Sequence, residues 1–229
     1  MPYTPHLLHQ LSGLVRTDNG ITYRDLNKNG ILDVYEDPRQ PLDARVEDLL
    51  CQMTLAEKAG ALFINGAVVN EDASLDEDTT AGSFGLCAKD HIEDHLLNHF
   101  NLWDVPGAAV VAQWYNRLQQ FAEETRLGIP VTIASDPRNH FTRSIYEMQA
   151  RDFSQWCQPL GMGAVGDETL VWQFANFVRQ EYLAVGIRVA LHPQIDLATE
   201  PRWPRINGTF GEDAALSARL AAAYIAGFQ

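Results

Sequence analysis

Apolar side chains return every three or four positions from Leu42 through Val46, Leu49 and Leu50 to Met53, which predicts a helix directly after a polar, loop-rich stretch ending at Pro41. Thr54 followed by Glu57 has the spacing of a reciprocal capping box, so a second helix should begin at once with Leu55, Ala59 and Leu62 on its apolar side. Residues 70–80 break the periodicity. They are acidic, carry few side chains worth burying, and read as a mobile surface loop. Helical spacing resumes near Ala108, with Trp114, Leu118, Phe121, Ala122 and Thr125 on one stripe that stops at Gly128. Ile129, Val131 and Ile133 then alternate as a strand should, and Leu170, Phe174, Phe177, Val178 and Val185 form the next helical stripe. A short strand follows over Ile187, Val189 and Leu191, and residues 212–228 make a last helix.

Helices alternating with short strands imply a parallel sheet covered by helices, either a barrel or an open doubly wound sheet. No Gly-x-Gly-x-x-Gly run follows either strand, so a nucleotide cofactor is not indicated. In both architectures binding residues collect where strands end, and two positions qualify: Asp136, at the end of Ile129–Ser135, and the loop beyond Leu191. That loop carries Thr-Glu-Pro-Arg-Trp-Pro-Arg-Ile-Asn-Gly-Thr-Phe-Gly-Glu-Asp over 199–213. Two guanidinium forks beside an indole suit hydroxyl groups and a sugar face.

These motifs resemble glycoside hydrolase family 3, in particular β-glucosidases and β-xylosidases. The family carries a similar Asp-Pro-Arg-Trp-Gly-Arg run followed by Thr-Phe-Gly-Glu-Asp. The likeness extends upstream through Arg188-Val-Ala-Leu-His-Pro-Gln-Ile-Asp196, Pro159-Leu-Gly-Met-Gly163, Gly128-Ile-Pro-Val-Thr-Ile-Ala-Ser-Asp136 and Arg45–Lys58. The resemblance selects the barrel: the first part of a TIM (β/α)8-type barrel, incomplete, with residues 42–229 in that domain and residues 1–41 as a loop-rich N-terminal segment. It implies that Asp136 and Arg205 hold the sugar where cleavage occurs, with Arg138, His140 and Arg143 as further candidates around a departure from the commoner Asp-x-x-His-Gly pattern. It also implies a retaining mechanism acting on terminal β-linked glucose or xylose. No cofactor is implied for catalysis. In the family the nucleophilic aspartate lies beyond a Lys-His motif, neither of which occurs here, so the expectation is a truncated chain, inactive alone, that needs the remainder of the barrel and a C-terminal domain. The competing reading is a non-catalytic sugar-binding or assembly module.

Plainer readings stand beside these. Asp136 as a turn cap, His140 as a satisfied hydrogen-bonding side chain, Trp156 and Trp203 as core aromatics, and Asp196 with Arg202 as a loop-bracing ion pair need no ligand. Pro204 stands where the family has glycine, and Asn207-Gly208 where it often has glutamate.

Charge and length narrow the classes. The 229 residues fall slightly short of the ~250 of a complete barrel. Thirty acidic against 17 basic residues give a net charge of −13, which disfavours nucleic acid and anionic membrane surfaces as partners. Cys51, Cys87 and Cys157 are odd in number and widely spaced, against a disulfide framework or zinc site. The first ten residues lack a basic leader with an apolar run, from which a cytoplasmic location is expected. One further motif fits a demanding template: Asp25, Asn27, Asn29, Asp33 and Glu36, with Gly30 at the sharp turn and the Ile31 carbonyl, match a twelve-residue calcium loop. The alternatives are a structural calcium site and an Asn-Gly turn held by its own side chains.

Overall fold

The computed structural model describes residues 15–75, 87–104, 106–136, 139–140 and 152–229. Four strands, β3 (Ile64–Val68), β4 (His99–Asp104), β5 (Thr132–Ser135) and β6 (Ile187–Ala190), form one parallel sheet in the order β3-β4-β5-β6. An open doubly wound sheet reverses its strand order part way across; a barrel adds each new strand on the same side. The unbroken chain order therefore makes this sheet an arc of a (β/α) barrel. Helices α3 (Ala88–His95), α4 (Ala108–Glu124), α5 (Pro159–Val165) and α6 (Glu168–Val185) lie in the crossovers, and α7 (Ala214–Phe228) follows β6.

Alternation along the strands sorts the side chains. Phe100, Leu102, Ile133 and Ile187 are all essentially sealed from water and join the buried faces of α4, α6 and α7, including Trp114, Leu118, Phe174, Val178 and Tyr224. Each helix starts and stops for a local reason. Asp167 accepts N–H bonds from Thr169 and Leu170 to open α6, and Asp213 accepts from Leu216 to open α7. Gly186 closes α6 in the left-handed conformation at φ +94°, where a Cβ would run into the Tyr115 ring.

The expected helices at 42, 54, 108, 170 and 212 form within one or two residues of those positions where helix ends fray, except that α6 and α7 are bounded by Asp167 and Asp213. The strand expected over 129–133 lies at 132–135, because Thr132 N–H bonds to Asn98 O and the ladder with β4 begins there. β3, α3, α5 and β4 carry no clear period and were not anticipated. The helices α1 (Leu42–Gln52) and α2 (Leu55–Ala61) depart from expectation in burial: Leu42 is 71%, Leu55 84% and Leu62 90% exposed. Val46 and Leu50 are exposed as well, while Leu49 and Met53 are partly buried. In the acidic stretch, 76–80 lie outside the described residues, while Ala73 is fully buried and Arg117 Nη1 donates to the Asp72 and Ala73 carbonyls, so this part is anchored.

Residues 15–41 also hold regular structure. β1 (Val15–Asp18) and β2 (Ile21–Arg24) form an antiparallel hairpin through Asn19 and Gly20, both at positive φ, the backbone that an Asn-Gly turn favours. Beyond it, Lys28 Nζ donates to the Glu123 carbonyl at 2.6 Å and to that of Thr125, and Tyr35 OH donates to Leu127 O at 3.3 Å. The segment is thereby fastened to the C-terminal end of α4.

Two glycines with positive φ separate backbone strain from overpacking. Gly20→Ala meets no atom within 4 Å, so it should cost about 1 kcal/mol from conformation alone. Gly186→Ala adds a clash with Tyr115 and should cost about 2–4 kcal/mol. Thermal melts of the two variants test the order: equal losses would show that the Tyr115 ring yields freely.

Candidate functional site

Asp136 leaves the carbonyl end of β5, where it is held from three sides. Asn101, on β4, donates Nδ2 to Asp136 Oδ2 at 3.0 Å. The Asp136 carbonyl accepts from Tyr182 OH, reaching in from α6, and from Ser135 Oγ, both at 2.9 Å. Main chain and side chain are thus fixed separately, and the carboxylate forms one wall of a cavity of about 210 Å³. That lies below the ~300–1,000 Å³ of sites for drug-sized ligands, so it suits a small polar molecule or one end of a larger one.

The loop after β6 supplies much of the rest of the lining. Arg205, Asn207, His192, Gln194 and Asp196 all face this cavity. Short turns stack the loop: Trp203 N–H bonds to Glu200 O at 3.0 Å, Ile206 to Trp203 O at 3.1 Å and Gly208 to Arg205 O at 3.1 Å. Asn207 Nδ2 donates to Gln158 Oε1 at 2.9 Å, tying the loop to the start of α5. Carboxylates and a guanidinium in the lining of one small cavity are what vicinal hydroxyls need, since each hydroxyl both donates and accepts.

Sequence expectations fare unevenly here. Asp136 and Arg205 are brought together on one cavity. Arg138 and Arg143 lie outside the described residues. His140 does not line the cavity: it is 2% exposed, its Nδ1 meets Cys157 O at 3.1 Å, and its ring stacks on Phe174. Trp156 is a core aromatic against Phe174 and Phe177, with Nε1 donating to Ser154 Oγ at 3.0 Å. The expected Asp196–Arg202 brace does not form. Arg202 reaches back to Glu200 in a bidentate, exposed pair, its hydrogen bonds holding the Glu200 carboxyl down at about 2, and Asp196 is instead an exposed cavity residue.

His192 was missed by sequence reasoning. Its ring sits edge-on to Tyr224 and Phe228, and its Nδ1 shares a hydrogen bond with Tyr224 OH, while Nε2 is buried with no partner among the described residues. Burial pushes the His192 imidazole down to about 3 and His140 in the same direction, and it lifts the Tyr224 phenol well above its usual range. The whole group is neutral at pH 7. The only signal in the sequence was His192-Pro193 directly after a strand.

The cavity lies at the carbonyl rim of a barrel arc, with Asp136, Asp196, Arg205 and Asn207 in its lining. The model of the glycosyl hydrolase family 3 N-terminal domain matches residues 96–229, more than half of the sequence. The chain belongs to glycosyl hydrolase family 3. A periplasmic beta-glucosidase/beta-xylosidase from Dickeya chrysanthemi is 48% identical over 217 residues, covering 93% of this chain and 32% of that protein. Beta-glucosidase C of Emericella nidulans is 46% identical over 208 residues, covering 90% and 32%. The chain therefore spans about a third of the length of the curated relatives it matches. Among solved structures, a beta-N-acetylhexosaminidase from Beutenbergia cavernae superposes with a TM-score of 0.57 at 24% identity over 77% of this chain and 50% of that one. A beta-glucoside phosphorylase bound to 2FGlc gives 0.63 at 21% over 80% and 29%. These two likenesses establish the fold. The Dickeya relative overturns the cytoplasmic expectation, since a protein so similar is periplasmic by name. Among the described residues, no helix is long and apolar enough to cross a membrane.

The buried imidazoles set a pH dependence. Unfolded histidine titrates near 6.5, folded His192 near 3, so between those values the unfolded chain binds a proton that the folded one excludes. Its stability is full above about pH 6.5 and is lost as pH falls toward 3. Between pH 7 and pH 5 this single group should account for about 2 kcal/mol. His192→Gln should be less stable at pH 7 but lose about that much less on acidification, measured by urea unfolding at both pH values. Parallel losses in both proteins would remove His192 as the source.

Proposed function

We propose that the cavity between Asp136 and Arg205 receives the terminal sugar of a β-linked glucoside or xyloside, and that the whole protein hydrolyses that bond with retention of configuration. The observation that carries this reading is that Asp136 and Arg205 line one cavity beyond the strand ends. The names of the two curated relatives support the substrate class. Asp136 would accept from hydroxyls of the sugar, and Arg205 would donate to them. Because Asn101 and Tyr182 hold Asp136 in place beforehand, little ordering remains when substrate arrives. Retention requires a nucleophilic carboxylate and a second, protonated acid about 5–5.5 Å apart. We assign both to the part of the longer protein beyond these residues.

In the longer protein, Asp136→Ala and Arg205→Ala should each lower kcat/KM on nitrophenyl β-glucoside or β-xyloside roughly ten- to a hundredfold. Each removes a charge-assisted hydrogen bond of about 1.5–3 kcal/mol from the transition state. Thermal stability should change little. The 229-residue chain alone should show no turnover of these substrates. Wild-type kcat/KM in both variants, or glycosyl-enzyme trapping on the 229 residues, would move the site elsewhere.

A further inference from the structure

We propose that the turn from Asp25 to Glu36 binds one calcium ion, through the side chains of Asp25, Asn27, Asn29, Asp33 and Glu36 and the carbonyl of Ile31. The chain curls through Lys28 and Gly30, at φ +62° and +81°, and three side chains fold inward over it. Asp25 Oδ2 accepts from Gly30 N at 3.1 Å, Asn27 Oδ1 from Asn29 N at 3.1 Å, and Asn29 Oδ1 from Ile31 N at 2.7 Å. The Nδ2 groups of Asn27 and Asn29 both donate to Asp33 Oδ2 at 2.7 Å, so the first, third, fifth and ninth positions of the template face one another.

That geometry would also arise in a turn closed on itself. The independent observation is Asp25, which is fully buried yet whose Oδ1 has no hydrogen-bond partner among the described residues. A buried carboxylate oxygen left bare is costly, and native structures seldom tolerate one without a reason. Charge points the same way. Asp25, Asp33 and Glu36 bring three negative charges against two positive ones, Arg16, which pairs with Asp25 Oδ2, and Lys28, whose Nζ is bonded to the carbonyls of Glu123 and Thr125. The turn therefore keeps a net negative charge, and every proposed donor is a hard oxygen, which suits calcium and not a thiolate- or imidazole-seeking metal.

Among the described residues no three His, Cys, Asp or Glu side chains converge as a metal cluster. The reason lies in Glu36, whose oxygens accept from Leu26 N at 2.6 Å, Asn27 N at 3.3 Å and Asp33 N at 3.2 Å. Calcium would draw Glu36 off these groups into the twelfth position, and the two amides would turn oxygen-first toward the ion.

Calorimetric titration of the chelator-treated protein, paired with thermal melts, tests this. The expected result is one calcium per chain, a melting temperature raised by calcium over chelator, and at least tenfold weaker binding of magnesium. Asp25→Asn and Asp33→Asn keep shape and remove charge; each should weaken calcium at least tenfold, while Asp43→Asn in α1, outside the turn, should leave it unchanged. Asp33 is only partly buried, so its variant reports even where Asp25→Asn fails to fold. No binding heat with equal melting in calcium and chelator, or wild-type affinity in Asp33→Asn, would overturn the site.

Discussion

Parallel pairing in chain order is the constraint on which the rest of this molecule depends. Because β3, β4, β5 and β6 all run the same way, each adding to the same side, every strand delivers its carbonyl end to one rim. Asp136 and the 191–213 loop lie far apart in sequence yet leave neighbouring strands, so they meet there without any special device. The pairing also dictates who supports whom. Asn101 stands beside Ala134 in the ladder, one step short of the strand end, which is where a side chain must be to reach the carboxylate of Asp136.

A rim built this way needs a firm floor, and the helices provide it with aromatic rings in place of aliphatic ones. Tyr182 from α6 and Tyr224 and Phe228 from α7 enclose His192, and Phe210 packs edge-on to Tyr224. Polar tips within this block are put to use: the Tyr182 hydroxyl holds the Asp136 carbonyl, and the Tyr224 hydroxyl meets His192 Nδ1. Burying such groups is favourable only when they are bonded, and a bonded polar tip has one good orientation where an alkyl group has several. Positional rigidity at the cavity is thus obtained together with a liability, since acid must force a proton onto imidazoles that the fold keeps neutral.

The helices with wide apolar stripes were legible in the sequence because burial and periodicity coincide in them. Trp114, Leu118 and Ala122 on α4 and Phe174 and Val178 on α6 are all sealed in the core that their spacing implied. β3 and β4 were not legible. In a barrel one face of a strand meets the helices and the other the barrel interior, so His99 and Asn101 alternate with Phe100 and Leu102 over too few residues to stand out. The hairpin at Asn19-Gly20 was legible and was missed, its turn dipeptide outweighed by the polar character of the segment. At the cavity, Asp136 and Arg205 were reached through motif resemblance. His192 and Tyr224 were not, because a residue that contributes by packing two helices against a strand end has no local pattern of its own.

The two arginines of the 199–213 loop show why motif and position must be read together. Arg202 and Arg205 have the same chemistry and flank the same tryptophan, yet Arg202 is almost fully exposed and spends its fork on Glu200, two residues away. Two such charges on one short turn satisfy each other in water, where screening leaves little for stability or for a ligand. Arg205 opens a short 3₁₀ turn over Ile206–Gly208, whose Asn207 is bound to Gln158, and that tether holds the turn at the cavity that Arg205 and Asp136 both line. The difference between a surface charge and a candidate substrate contact is therefore made by Gln158, Asn207 and the turn between them, residues that carry no charge.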